Sequence, residues 1–146
     1  MSYPINYPTP QGANFQEFYG GGTTRDWVKP QGASMVRMLL IGAGRGGNGS
    51  NSTTFGAGGS SGAVTQWIGP AIFVPDVLRI YVGAGSIGTT GNIAAGSAEN
   101  TTIVYQAKDG TGYTLLTASG AQAGTTAAPT MSNNYFSAAG ILRSIQ

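Results

Sequence analysis

The stretch Met35-Val36-Arg37-Met38-Leu39-Leu40-Ile41-Gly42-Ala43-Gly44-Arg45-Gly46-Gly47-Asn48-Gly49 carries two patterns back to back. In the first, Val36, Met38 and Leu40 project to one side and Arg37, Leu39 and Ile41 to the other, the two-residue period of a strand. From Met38 the strand is apolar on both sides, which predicts a central place in a sheet. In the second, glycine dominates and no apolar period survives.

Working outward, Val64 to Ile68, containing Trp67, reads as another strand, and Leu78-Arg79-Ile80-Tyr81-Val82 as a third with Leu78, Ile80 and Val82 inward. Thr101 to Ala107 and Tyr113 to Ala118 read as a hairpin. Their link, Lys108 to Gly112, holds an Asp-Gly pair suited to the positive φ of tight turns. Phe15 to Tyr19 reads as a short strand before Gly20-Gly21-Gly22. No segment sustains a 3.6-residue apolar period. Short strands with glycine-rich connections predict an all-β sandwich or barrel. Residues 1–13, with Pro4, Pro8 and Pro10, read as an extended Pro/Tyr-rich arm, and residues 14–146 as one glycine-rich domain. Tyr3, Ile5, Tyr7, Phe15 and Phe18 are its candidate docking residues, because amphipathic aromatics favour contact surfaces.

The chain has 25 glycines in 146 residues, more than double the usual share of about 7%. They cluster at 42–62, 83–96 and 120–124. Within the clusters several fall three apart: Gly46 and Gly49; Gly56, Gly59 and Gly62; Gly85, Gly88 and Gly91. A three-residue period is that of a polyproline-II-like helix, which has no internal hydrogen bonds. Glycine at every third position lets such helices lie close enough to satisfy one another's backbone groups. Ala43, Phe55, Ala57, Ile87, Ile93 and Ala94 are interleaved, which favours packed polyglycine-II-like helices over linkers.

With no cysteine and no histidine, the chain lacks disulfides, the commonest metal ligand and the commonest general base near neutral pH. No cofactor or metal site is expected. Seven Lys or Arg against five Asp or Glu leave a net charge of +2, thinly spread. That is no basic stripe of the kind a nucleic-acid partner requires. No apolar run approaches the ~18 residues of a membrane helix, and Met1-Ser2-Tyr3-Pro4 does not begin a secretory signal. Leu39 to Gly47 matches a strand followed by G-x-G-x-x-G, the dinucleotide fingerprint. However, Asn48-Gly49-Ser50-Asn51-Ser52-Thr53-Thr54 is no helix start, and no acid falls about 20 residues on. Glu17, Asp26, Asp76, Glu99 and Asp109 lie on separate segments, and Asp76 and Asp109 suit turns, so an enzyme is not expected. Three Asn-x-Ser/Thr matches, at Asn48, Asn51 and Asn100, mean little without secretion. Trp27 and Trp67 are expected in the core.

Trp27 to Gly44, then Val82-Gly83-Ala84-Gly85, then Leu116-Thr117-Ala118-Ser119-Gly120, stand in an order that resembles the glycine-rich domain of bacteriophage tail-fibre and virion structural proteins. The resemblance covers roughly residues 15–124. A weaker similarity is to the glycine-rich, tumour-necrosis-factor-like region of animal receptor kinases. The resemblance implies a jelly-roll-like antiparallel β-sandwich with glycine-rich helical loops, located in the virion, trimeric and partnered by capsid or tail proteins. A chain of this length with such an arm fits a head decoration protein, head fibre or small tail component better than a whole fibre. The competing expectation is a receptor-binding module whose loops, through Asn48, Asn51, Ser52, Asn92 and Asn100, contact host surface glycans.

Overall fold

The computed structural model describes residues 14–50, 55–91 and 93–122. Its strands are β1 (Thr23–Val28), β2 (Met35–Ile41), β3 (Val64–Pro70), β4 (Val77–Val82), β5 (Thr101–Gln106) and β6 (Gly112–Ala118), with a single 3-10 turn at Ala71–Phe73. They form two antiparallel sheets, β1-β4-β5-β6 and β2-β3. The fold is all-β and sandwich-like. Between the sheets lie Met38, Leu40 and Trp67 from the smaller one and Leu78, Ile103, Leu115, Leu116 and Ala118 from the larger, with Val74 closing one end.

Alternation explains most of this core. Met38 and Leu40 face inward from β2, and Thr65 and Trp67 from β3. Leu115 and Leu116 are adjacent, yet both are wholly enclosed. The register shift between Ile103 and Val104 makes that possible: Ile103 pairs with Leu116 and Val104 with Thr114, so Leu115 is the extra residue of a bulge. The hairpin link turns where Asp-Gly falls, with Gly110 at φ +85°. Asp109 Oδ1 accepts the Thr111 N–H at 2.9 Å, and those bonds hold its carboxyl below the ordinary range.

Three expectations change. Phe15 to Tyr19 is not a strand; Phe15 is exposed and Phe18 half-buried. The strand at this end is β1, whose Thr-Thr-Arg-Asp-Trp-Val sequence hides its period. As an edge strand it sends only Trp27 and Thr23 partly inward, and Asp26 outward to Arg79 (3.2 Å). Third, β2 is not central. Among the described residues it pairs only with β3, and Met35, Leu39 and Ile41 stand exposed on its outer side. Trp67 is buried in the core, and Trp27 packs against it. Residues 1–13, with Tyr3, Ile5 and Tyr7, lie outside the described residues, as do Asn51, Ser52 and Asn92.

Candidate functional site

Beyond Ile41 the chain does not turn into a helix; it runs on in the direction of β2. The β2-β3 hairpin keeps one unbroken register past the end of its strands. Met35 pairs with Pro70 and Ile41 with Val64. Then Gly42 N–H donates to Ala63 O (2.8 Å), Arg45 and Ser60 exchange two bonds (2.8 and 3.1 Å), and Asn48 N–H donates to Ala57 O (2.8 Å). Bonds thus recur every third residue, the repeat of a threefold extended helix, where a β-ladder would bond every second.

The β4-β5 hairpin does likewise. Tyr81 pairs with Thr102, and Glu99 N–H reaches Ala84 O (2.9 Å) in the same register. The two extensions then join each other in parallel. Gly46 N–H donates to Ser86 O (3.0 Å), Ser86 N–H to Gly44 O (3.2 Å) and Thr89 N–H to Gly47 O (3.1 Å). Segment 119–121 completes the bundle: Ala63 N–H bonds Ser119 O (2.8 Å), Ala121 N–H bonds Ala43 O (3.0 Å) and Ala98 N–H bonds Ala121 O (2.8 Å).

Glycine is required here for space. Every positive-φ residue among those described is a glycine, yet of the triplet glycines only Gly91 (φ +68°) is one. At the others the decisive fact is what a Cβ would meet. At Gly56, Gly59 and Gly62 it would collide with the carbonyls of Asn48, Arg45 and Gly42, far inside the 3.0 Å that real Cβ atoms keep. Gly46 and Gly49 face the other neighbour, abutting the backbone at Gly88 and Gly91. Gly85 and Gly88 are looser, at 3.1 Å from Gly44 O and 3.3 Å from Gly47 O. Each run of three-apart glycines therefore lines one face of one segment. At Gly49, Gly56, Gly59 and Gly62 the Cα hydrogen that replaces Cβ points at a carbonyl oxygen, the geometry of Cα–H···O contacts worth about 0.5–1 kcal/mol each. Gly91 departs from the set: it turns the tip and has open space beside it, though Gly49 rests on its carbonyl.

Sequence reading missed Gly42, Gly83 and Gly120, which are buried and meet Ser119, Glu99 and Ala98 backbone. Gly42 and Gly83 each come directly after a strand, and that position is the signal. It also missed Arg45. The guanidinium donates to Ala95 O through Nε (3.1 Å) and Nη2 (2.8 Å), and through Nη2 to Asn48 Oδ1 (2.6 Å). Asn48 Oδ1 also accepts Ala95 N–H (3.0 Å). One side-chain pair thereby ties the 42–49 segment to residue 95. Asn100 Oδ1 accepts Gly120 N–H (2.9 Å). Asn48 and Asn100 thus spend their acceptor oxygens inside the protein.

At the junction of sheet and bundle, Glu99 Oε2 accepts the Tyr81 hydroxyl and the Ala84 N–H (2.9 Å). These bonds hold the Glu99 carboxyl below its ordinary range, and the carboxylate holds the Tyr81 phenol above its own. The other acids with partners are also engaged locally: Asp26 with Arg79, and Asp76 with Lys29 (2.8 Å), whose ammonium also caps Val74 O (2.8 Å). Among the described residues no group of three or more Asp or Glu converges as a metal site would require.

Residues 12–141 match the model of a glycine-rich domain family. No curated protein and no solved structure matches the chain.

Proposed function

We propose that this chain, a member of the glycine-rich domain family, is a structural component of a bacteriophage particle, a head decoration or head-fibre protein or a small tail-fibre component. Its N-terminal arm attaches to capsid or tail protein, and the sandwich projects the glycine bundle outward as a homotrimer. The observation that carries this reading is the unbroken register of both hairpins from sheet into bundle. Two hairpins cross-bonded in this way cannot swing about their bases, so the bundle is a stiff extension of the sandwich. Stiffness with few charges suits a repeated, passive element of an assembly. The sandwich is jelly-roll-like in this reading, with polyglycine-II-like helices standing where further strands of the smaller sheet would run. The engagement of Asp26, Asp76, Glu99 and Asp109 in local bonds supports a non-enzymatic role.

The alternative, a glycan-binding module, is supported by Phe55 and Ile87, which stand almost fully exposed on the bundle. Asn48 and Asn100 do not add to it, their oxygens being used internally.

Removal of residues 1–13 tests the proposal. The expected result is a folded chain, three times the chain mass by light scattering, that no longer joins particles. Incorporation unchanged, with glycan binding lost on changing Phe55, would turn the assignment to the receptor-binding reading.

A further inference from the structure

The outer face of the β2-β3 sheet is apolar, and none of the described residues covers it. Met35, Leu39, Ile41, Val64 and Ile68 are each more than half exposed. Their register places Ile41 beside Val64, Leu39 beside Gln66 and Arg37 beside Ile68, so they form one continuous surface. Its polar interruption is the Arg37–Gln66 hydrogen bond (3.2 Å). An apolar patch of this kind is often a contact surface.

Size argues about the occupant. Five such side chains present on the order of 300–600 Å², short of the roughly 800 Å² each partner contributes to a stable interface between free chains. A segment of the same chain needs less, because tethering supplies an effective concentration in the ~mM range. Such a segment starts close by. The described chain leaves at Gln122, next to Ala121, whose N–H is bonded to Ala43 O, two residues past Ile41. Residues 123–146 include Met131, Tyr135, Phe136, Ile141, Leu142 and Ile145. The family match also continues beyond Gln122 to residue 141, so this stretch belongs to the domain pattern.

We propose that the segment after Gln122 docks, within the same molecule, on the outer face of β2-β3 and covers Leu39, Ile41, Val64 and Ile68. This makes the smaller sheet a layer apolar on both sides, as the Met38-Leu39-Leu40-Ile41 run demands. The inference does not depend on the proposed function.

Photo-crosslinking in the full chain tests it. A benzophenone amino acid replaces Leu39 in one variant and Ile68 in another, both exposed positions whose change leaves the core intact. Equal amounts of isotopically heavy and light protein are unfolded, mixed and refolded together before irradiation, so that any oligomer contains both, and adducts are located by mass spectrometry. The expected adducts join each position to residues 123–146 of the same isotopic chain. They fall to background when Tyr135, Phe136, Ile141 and Leu142 are together replaced by serine. Adducts that mix heavy and light chains would put a second copy on this face and overturn the proposal. Adducts elsewhere in the chain, or none, would overturn it as well.

Discussion

Leu116 in β6 is wholly enclosed by side chains of both sheets, whereas Gly62, two residues before β3, lies against the Gly42 backbone with no side chain between. The sandwich is held by apolar area removed from water, about 25 cal/mol per Å². The bundle is held by main-chain hydrogen bonds and Cα–H···O contacts between segments that have no room for a Cβ. The first region tolerates chemistry of similar volume and penalises a void. The second has little to lose in volume and penalises an added Cβ wherever a glycine faces a neighbouring backbone.

The largest expected effect lies in the sandwich. Leu116→Ala should cost about 2–5 kcal/mol, and Leu116→Met less than about 1.5 kcal/mol, read from urea unfolding monitored by tryptophan fluorescence. Equal losses from both would mean that this core is not packed by volume.

Next comes the bundle. Gly62→Ala should cost about 1–3 kcal/mol by overpacking, since backbone, not a flexible side chain, stands in the way. Amide hydrogen exchange should show protection lost at Gly42, Arg45 and Ser60 and kept in β4-β5. Loss throughout the protein would show that bundle and sandwich form a single cooperative unit rather than two regions held by different forces.

Asn48→Ala removes the acceptor shared by Arg45 and Ala95. Arg45 keeps its bonds to Ala95 O, but the Ala95 N–H loses its acceptor, which should cost about 1–3 kcal/mol, with faster exchange at Ala95. An unchanged Ala95 amide would show that this pair does not hold the bundle together.

A smaller, pH-dependent effect belongs to the junction. The Glu99 carboxyl is held low, so its contribution is present above the ordinary value of 4.5 and lost as pH falls through the folded value. The Tyr81 phenol is held high, so its contribution is present below 10.0 and lost as pH rises through the folded value. Glu99→Gln should flatten the acid limb of a thermal-stability profile. An unaltered profile would show that the bond does not form in solution.

The smallest effect is the control. Gly58 has open space where its Cβ would go and no positive φ. Gly58→Ala should change stability by no more than about 0.5 kcal/mol or raise it slightly. A large loss there would show that glycine acts in this tract through something other than close approach.

Much of this contrast was legible in the residues. Alternation located β2, β3 and β4, and Asp109-Gly110 located the β5-β6 hairpin. The three-apart spacing of the glycines could be read directly; in the structure Gly46, Gly49, Gly56, Gly59 and Gly62 lie against neighbouring backbone, whereas Gly91 does not. What stayed hidden had physical reasons. β1 is an edge strand with a polar outer side, so its composition lacks the apolar alternation that identifies strands. The bulge at Leu115 depends on β5 and cannot be read from β6 alone. Arg45 and Asn48 look like loop residues, because their partner, Ala95, is remote in sequence.

By itself the sequence determined which residues could carry a two-residue period, which could carry a three-residue one, and where each must stop, because side-chain volume is a local property. Only the tertiary structure decided which glycine faces which segment, that two hairpins join in parallel beyond their sheets, and that β2 leaves one apolar face open. Those are choices of partner, and a partner is fixed by the simultaneous satisfaction of backbone groups across the chain, which no single segment contains.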